Sequence, residues 1–166
     1  MQLNIIRNIK KSIGNLKTNQ MKLSQNGYEF ISQEEGVKTH AYQDAIGIWT
    51  VGIGFIQVDG TKVTKDTTLS LDSIKTEFFK QIVKYEDTVN NYVTSKINQN
   101  QFDALVSFSF NLGVGALPSS HLLIKINANP QDSTITDEFV KWDKAGGKVN
   151  QSILGRRKRE AKLYFS

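Results

Sequence analysis

Glu35, Asp44 and Thr50 follow one another at separations of nine and six residues. Two carboxylates facing one cleft can divide acid and base work: one protonates a leaving oxygen while the other activates a water or attacks directly, the arrangement that hydrolyses glycosidic bonds. A threonine hydroxyl beside them can hold a water for in-line attack, or merely pack. Pattern alone weighs little here. A Glu before Gly is commonly a solvated helix end, an Asp opening a turn is commonly a turn residue, and a Thr on a strand is commonly nothing more. Glu34 competes with Glu35 for the acid role, but neighbouring residues on a helix point about 100° apart, which assigns Glu34 to the surface.

The elements around these residues could bring them to one place. Residues 26–37 carry Tyr28, Phe30 and Ile31 on an apolar face and stop at Gly36, so Glu35 falls in the last turn of a short helix. From Thr39 to Val63, β-branched and aromatic residues alternate around glycines, as in a small antiparallel sheet. Asp44-Ala45-Ile46-Gly47 has turn chemistry, and a strand over Ile48 to Ile53 carries Thr50. From Ser70 the period is helical through Ile74, Phe78, Ile82, Tyr85, Val89 and Tyr92, long enough for one helix to join two lobes. Asn98 and Gln101 form a capping box ahead of a very apolar helix that stops at Gly113. Shorter helices are expected near Ser119–Asn127 and Thr136–Lys144. A last one, Ser152–Phe165, is expected to carry Arg156, Arg157, Lys158 and Arg159 on its outer faces, with Glu160 a surface charge.

Composition narrows the chemistry. A chain of 166 residues fits one domain or two small lobes sharing a long element. With no cysteine, thiolate nucleophiles, thiolate metal sites and disulfides are excluded; His40 and His121 are too far apart to suggest a metal site, and no cofactor is implied. The net charge of +5 suits an anionic polymer, a membrane surface or a bacterial envelope without choosing among them. Nucleic-acid binding by the arginine cluster lacks a recognised motif. Residues 1–20 read as a basic amphipathic leader, with Ile5, Ile6, Ile9, Ile13 and Leu16 spaced among Arg7, Lys10, Lys11 and Lys17. They contain neither the apolar run nor the cleavage site of a secretory signal, and no stretch is apolar enough to span a membrane. The expectation is a cytoplasmic product without stable membrane insertion.

The run EEGVKTHAYQDAIGIWTVGIGF resembles the signature of the phage lysozyme family, glycoside hydrolase family 24. There Glu-Gly, a Tyr-x-Asp turn and Thr-x-Gly-x-Gly follow in order, here Glu35-Gly36, Tyr42-Gln43-Asp44 and Thr50-Val51-Gly52-Ile53-Gly54. QFDALVSFSFNLGVGAL resembles the family's central helix, and Trp142 through Gly155-Arg156-Arg157-x-x-Glu160 its C-terminal end. The likeness spans residues 24–165. It implies a mostly helical α+β fold: a small lobe with a short antiparallel sheet (about 24–69), a connecting helix (about 70–95) and a larger helical lobe (about 96–166). It implies a muramidase cutting the β-1,4 bond between N-acetylmuramic acid and N-acetylglucosamine of bacterial peptidoglycan, by inversion, for host lysis. Glu35 would be the general acid, its pKa raised by partial burial, with Asp44 and Thr50 handling the water. Ile56 and Phe110 match substrate-binding positions of the family; His121 falls at a further one, with its neighbour Ser120 as the alternative source of the polar contact there. Two residues depart from the pattern: Phe55 where the family has His, and His121 where it has a small hydroxyl residue. The expected setting is a monomer held in the host cytoplasm until a separate holin-like pore protein admits it to the periplasm and cell wall. A catalytically weakened wall-binding relative and a basic membrane-permeabilising protein are the alternatives.

Overall fold

In the computed structural model the described residues are 20–166. Residues 1–19, which hold nearly all of the expected basic leader, lie outside them. The described chain begins tied down: Met21 exchanges two hydrogen bonds with the Asn90 side chain, at 3.0 Å each, and the Leu23 amide donates to Glu86 at 2.8 Å.

Helix α1 spans Gln25–Glu35. Ser24 caps it, accepting from the Gly27 amide, while its own amide donates to the wholly buried Asp103 at 3.1 Å. Gly27 allows this close approach: a Cβ there would lie 2.7 Å from the Asp103 carboxyl carbon. The helix ends at Gly36, whose φ of 75° suits a residue without Cβ. Glu35 is thereby fixed as the final helical residue.

Two antiparallel strands follow, β1 (Lys38–Gln43) and β2 (Trp49–Gly52), paired with Tyr42 opposite Thr50 and a register shift between Lys38 and Tyr42. The expected single sheet is two separate ladders, because β3 (Gln57–Val58) and β4 (Thr61–Lys62) pair only with each other. An isolated bridge between Val51 and Phe55 turns the chain from one ladder toward the next.

The long helix expected from Ser70 is divided at Ile82 into α2 (Leu71–Gln81) and α3 (Val83–Tyr92). The Tyr85 amide bonds to the Ile82 carbonyl, three residues back, which tightens the turn. Two adjacent β-branched residues, Ile82 and Val83, sit where the regular ladder is interrupted, and such side chains crowd the preceding turn.

Helix α4 (Gln99–Leu112) forms the centre of the molecule, with Gln101 to Ser109 all buried. Asn98 and Gln101 make both bonds of the capping box. Around α4 lie α5 (His121–Ala128), α6 (Ile135–Val140), the β5–β6 hairpin (Lys144–Ala145 with Lys148–Val149) and α7 (Gln151–Tyr164), which packs chiefly on α4 and α6. Phe108 meets Phe139 and Trp142 edge-on at 5.7 and 5.5 Å between ring centroids. The fold is mostly helical with short antiparallel ladders, the expected α+β class.

Candidate active site

Glu35 opens into a cleft of about 340 Å³ that it lines together with Ile53, Gly54, Phe55 and Ile56 from the strand region, Gln81, Lys84 and Tyr85 flanking the Ile82 break, and Phe110 and Asn111 from α4. The end of α1 leaves the residue exposed as a whole, but its side chain keeps only 24% of its exposure. Arg156 Nη1 donates to Glu35 Oε1 at 2.6 Å, fixing the carboxyl group at the cleft wall. Glu34 points to the other side, where Arg159 grips both its oxygens, the Nη2–Oε2 distance being 2.8 Å. The hydrogen bond from Arg159 holds the Glu34 carboxyl below the usual carboxylate range, with burial opposing it. The two adjacent glutamates are thus divided, one to the cleft and one to an ion pair with Arg159; Glu34, expected at the surface, keeps only 9% of its side-chain exposure because Arg159 lies across it.

Asp44 and Thr50 meet at Ile48. The Asp44 turn closes with the Gly47 amide on the Asp44 carbonyl at 3.0 Å, and Asp44 Oδ1 accepts from the Ile46 and Ile48 amides at 3.0 and 2.8 Å. Thr50 Oγ1 donates to the Ile48 carbonyl at 3.0 Å. Its one proton is therefore committed to that carbonyl, leaving its lone pairs to accept from a water. The Asp44 side of this pair belongs to an exposed turn, whereas Thr50 is 4% exposed at the base of β2. Neither is among the residues that line the 340 Å³ cleft beside Glu35.

Of the expected substrate contacts, Ile56 and Phe110 do line that cleft. Ile56 is half exposed, while Phe110 rests edge-on against Tyr85 at 5.2 Å and presents only part of its ring. Ser120 is occupied elsewhere: its buried hydroxyl donates to the Leu117 carbonyl at 2.7 Å and accepts from the Leu123 amide at 3.1 Å, capping α5. His121 is exposed at the head of that helix, away from the cleft-lining set. Phe55 is 2% exposed, so the departure from histidine places an aromatic ring in the core beneath the cleft.

Two expectations for α7 are corrected. Arg156 and Arg157 are not on its outer faces but 6% and 0% exposed, and Glu160 is 0% exposed rather than a surface charge. A charge sequence resembles a solvated helix face unless its partners are known; here Glu160 is the partner of both arginines, three and four residues away. That spacing, on a helix whose Ala161 and Tyr164 are also buried, was the available signal. Asn111, Gln81, Lys84 and Tyr85 line the cleft without any distinguishing sequence signal. Among the described residues no group of three or more His, Asp or Glu side chains is gathered as a metal ion would require.

The arrangement provides a clamped carboxyl group in a cleft with apolar and amide walls, and, outside the residues that line that cleft, a hairpin that carries Asp44 and Thr50. The family described as phage lysozyme matches residues 32–160. The endolysin of Salmonella phage P22 is 36% identical over 148 residues, covering 88% of this chain and 99% of its own length. Among solved structures, an endolysin from Escherichia coli O157:H7 phage FAHEc1 superposes with a TM-score of 0.83 at 29% identity, covering 89% of this chain and 96% of that one. A mutant of P22 lysozyme does so with a TM-score of 0.80 at 34% identity, covering 88% and 99%.

Proposed function

Because the chain belongs to the phage lysozyme family, we propose that Glu35 is the general acid of its glycosidic cleavage and that Asp44 and Thr50 manage the water. The activity is that of the family: a muramidase, a glycoside hydrolase that cuts the glycan of bacterial peptidoglycan in host lysis. The observation that carries the acid assignment is the Glu35 side chain itself, lining the cleft and held at 2.6 Å by Arg156. A sugar chain lying in the cleft would meet Ile56 and Phe110 as apolar walls and Asn111 as a polar one. Glu35 then protonates the oxygen leaving the N-acetylmuramic acid carbon. Asp44 takes a proton from a water whose own hydrogen bond is accepted by Thr50 Oγ1, and that water enters opposite the leaving group, inverting the anomeric centre.

Proton NMR of a soluble glycan fragment during the first turnover reads this outcome, with α-anomeric product expected from the β-linked chain. Initial β-anomer, or a glycosyl adduct trapped on Asp44, would overturn the water mechanism.

Cytoplasmic accumulation until lysis, passage through a separate holin-like pore protein and action as a monomer complete the proposal. Support for the first is the apolar pattern of residues 1–20, which Arg7, Lys10 and Lys11 interrupt. The proposal for the wall-binding alternative is weaker, since the P22 relative covered at 99% of its length is itself an endolysin.

A further inference from the structure

One buried carboxylate sits behind the cleft without touching it. Glu160 Oε1 accepts from Arg156 Nε at 3.1 Å, from Arg157 Nη2 at 3.2 Å and from the Ser107 hydroxyl at 2.8 Å, while its Oε2 lies 3.0 Å from Arg157 Nε. Each arginine continues to a residue that does line the cleft. Arg156 Nη1 reaches Glu35 Oε1, and Arg157 Nη2 donates to Asn111 Oδ1 at 2.8 Å. Glu35 ends α1 and Asn111 lies near the end of α4, so the α7 cluster ties together two elements that each contribute a side chain to the cleft.

We propose that Glu160 is a positioning residue, which through Arg156 and Arg157 sets where the Glu35 carboxyl group and the Asn111 amide stand in the cleft. This rests on Glu35 being the acid. Glu160 takes up the Nε edge of Arg156, so that the guanidinium cannot rotate to offer that edge to Glu35 and presents Nη1 alone. With Asn111 Oδ1 occupied by Arg157, the Asn111 NH2 group is the part left to donate toward a sugar oxygen or acetamido carbonyl. The Arg157 guanidinium also lies over the Phe108 ring, 5.2 Å from its centroid, which fixes its plane. Stability alone is a poor reason for such a cluster. Two guanidiniums and a carboxylate lose their water here, and apolar side chains of similar size commonly pack as stably. Burial raises the proton affinity of Glu160, and Arg157 and Arg156 pull it back toward the charged form.

The test is a kinetic cycle on purified peptidoglycan with wild type, Glu160→Gln, Arg156→Met and the double variant, each checked for fold by circular dichroism and thermal melting. Misplacing a reacting group by a fraction of an ångström to an ångström costs about ten- to a hundredfold in rate. Glu160→Gln should therefore lower kcat by about tenfold or more with KM changed much less, and in the Arg156→Met background, where only the Arg157–Asn111 route is left to disturb, it should cost less than in wild type. Ser107→Ala, which removes one hydrogen bond and leaves the charges, serves should Glu160→Gln fail to fold; its kcat should fall about two- to fivefold with the melt nearly unchanged. A folded Glu160→Gln enzyme with wild-type kcat, losses that multiply in the double variant, or an unchanged kcat in Ser107→Ala overturns the positioning role. Glu35→Gln is run alongside: if it keeps wild-type activity, the acid assignment itself fails, whereas an inactive Glu35→Gln beside a fully active Glu160→Gln defeats the Glu160 role alone.

Discussion

Replacing Phe55 by His restores the residue that the family pattern favours, and the structure says it should weaken the fold. The Phe55 ring is 2% exposed and lies on Gly52, where a Cβ would be 2.5 Å from the ring, with Ile74 beside it. The Phe55 amide and carbonyl already pair with Val51, at 2.8 and 2.9 Å, so the backbone there is committed. Losing the phenyl forfeits much of the about 1.5 to 3 kcal/mol that a buried Phe contributes. An imidazole nitrogen buried without a partner costs about 1 to 3 kcal/mol more. The expected total for Phe55→His is about 3 kcal/mol, or a fall in Tm of about 10 °C for a chain of this length. Acid should enlarge it. Burial disfavours the charged ring, so the introduced imidazole has a folded-state pKa below the unfolded value of about 6.5, and the unfolded chain binds more protons as pH falls. Thermal melts of both proteins at pH 8 and pH 5 measure this. A variant as stable as wild type at pH 8, or a gap that narrows at pH 5, would refute the reasoning.

Arg159→Ala should remove a small stabilisation confined to the pH range where Glu34 is ionised. Glu34 is depressed by Arg159, so the contribution is present above about 4.5 and lost as pH falls through the lower folded value. Because the Arg159 side chain is 54% exposed, the whole effect stays below about 1 kcal/mol, and urea melts at pH 7 and pH 3 should show the difference from wild type shrinking at pH 3. Asn98→Ala breaks the capping box, in which Gln101 N donates to Asn98 Oδ1 at 2.8 Å and Asn98 N to Gln101 Oε1 at 2.9 Å, and should cost about 1 kcal/mol by denaturant melting with activity retained at 25 °C. Thr50→Val keeps the packed shape but removes the hydroxyl over Ile48; wall hydrolysis should fall about tenfold or more while stability falls by about 1 kcal/mol, and undiminished turnover would remove Thr50 from the water site.

What was legible in the sequence was local. The Asp44 turn, the end of α1 at Gly36 and the Asn98 capping box are each specified by residues within four positions of one another, and each is present. The order of Glu35, Asp44 and Thr50 was readable as a family signature, and the helical angle separates Glu34 from Glu35, but only the folded chain shows each held by its own arginine. Those arginines come from more than 120 positions further on, which no local pattern reveals. Arg157 and Glu160 were misjudged for the same reason: on α7 they read as solvated charges, and what buries them is Phe108, Ser107 and Asn111 of α4. Ser120 had the residue type of a substrate contact, yet a Ser just ahead of an apolar helix is also a cap, and here the cap consumes its hydroxyl. The break at Ile82 escaped because the apolar period runs through it undisturbed.

The acid role of Glu35 is tested by adding Glu35→Gln and wild-type protein, matched for thermal stability, to chloroform-treated Gram-negative cells and following turbidity together with new reducing ends on N-acetylmuramic acid. Wild type should clear the suspension and release those ends, while Glu35→Gln should lose at least about a thousandfold in rate with its fold intact. A Glu35→Gln protein that clears cells and releases muramic acid ends as fast as wild type would contradict the account.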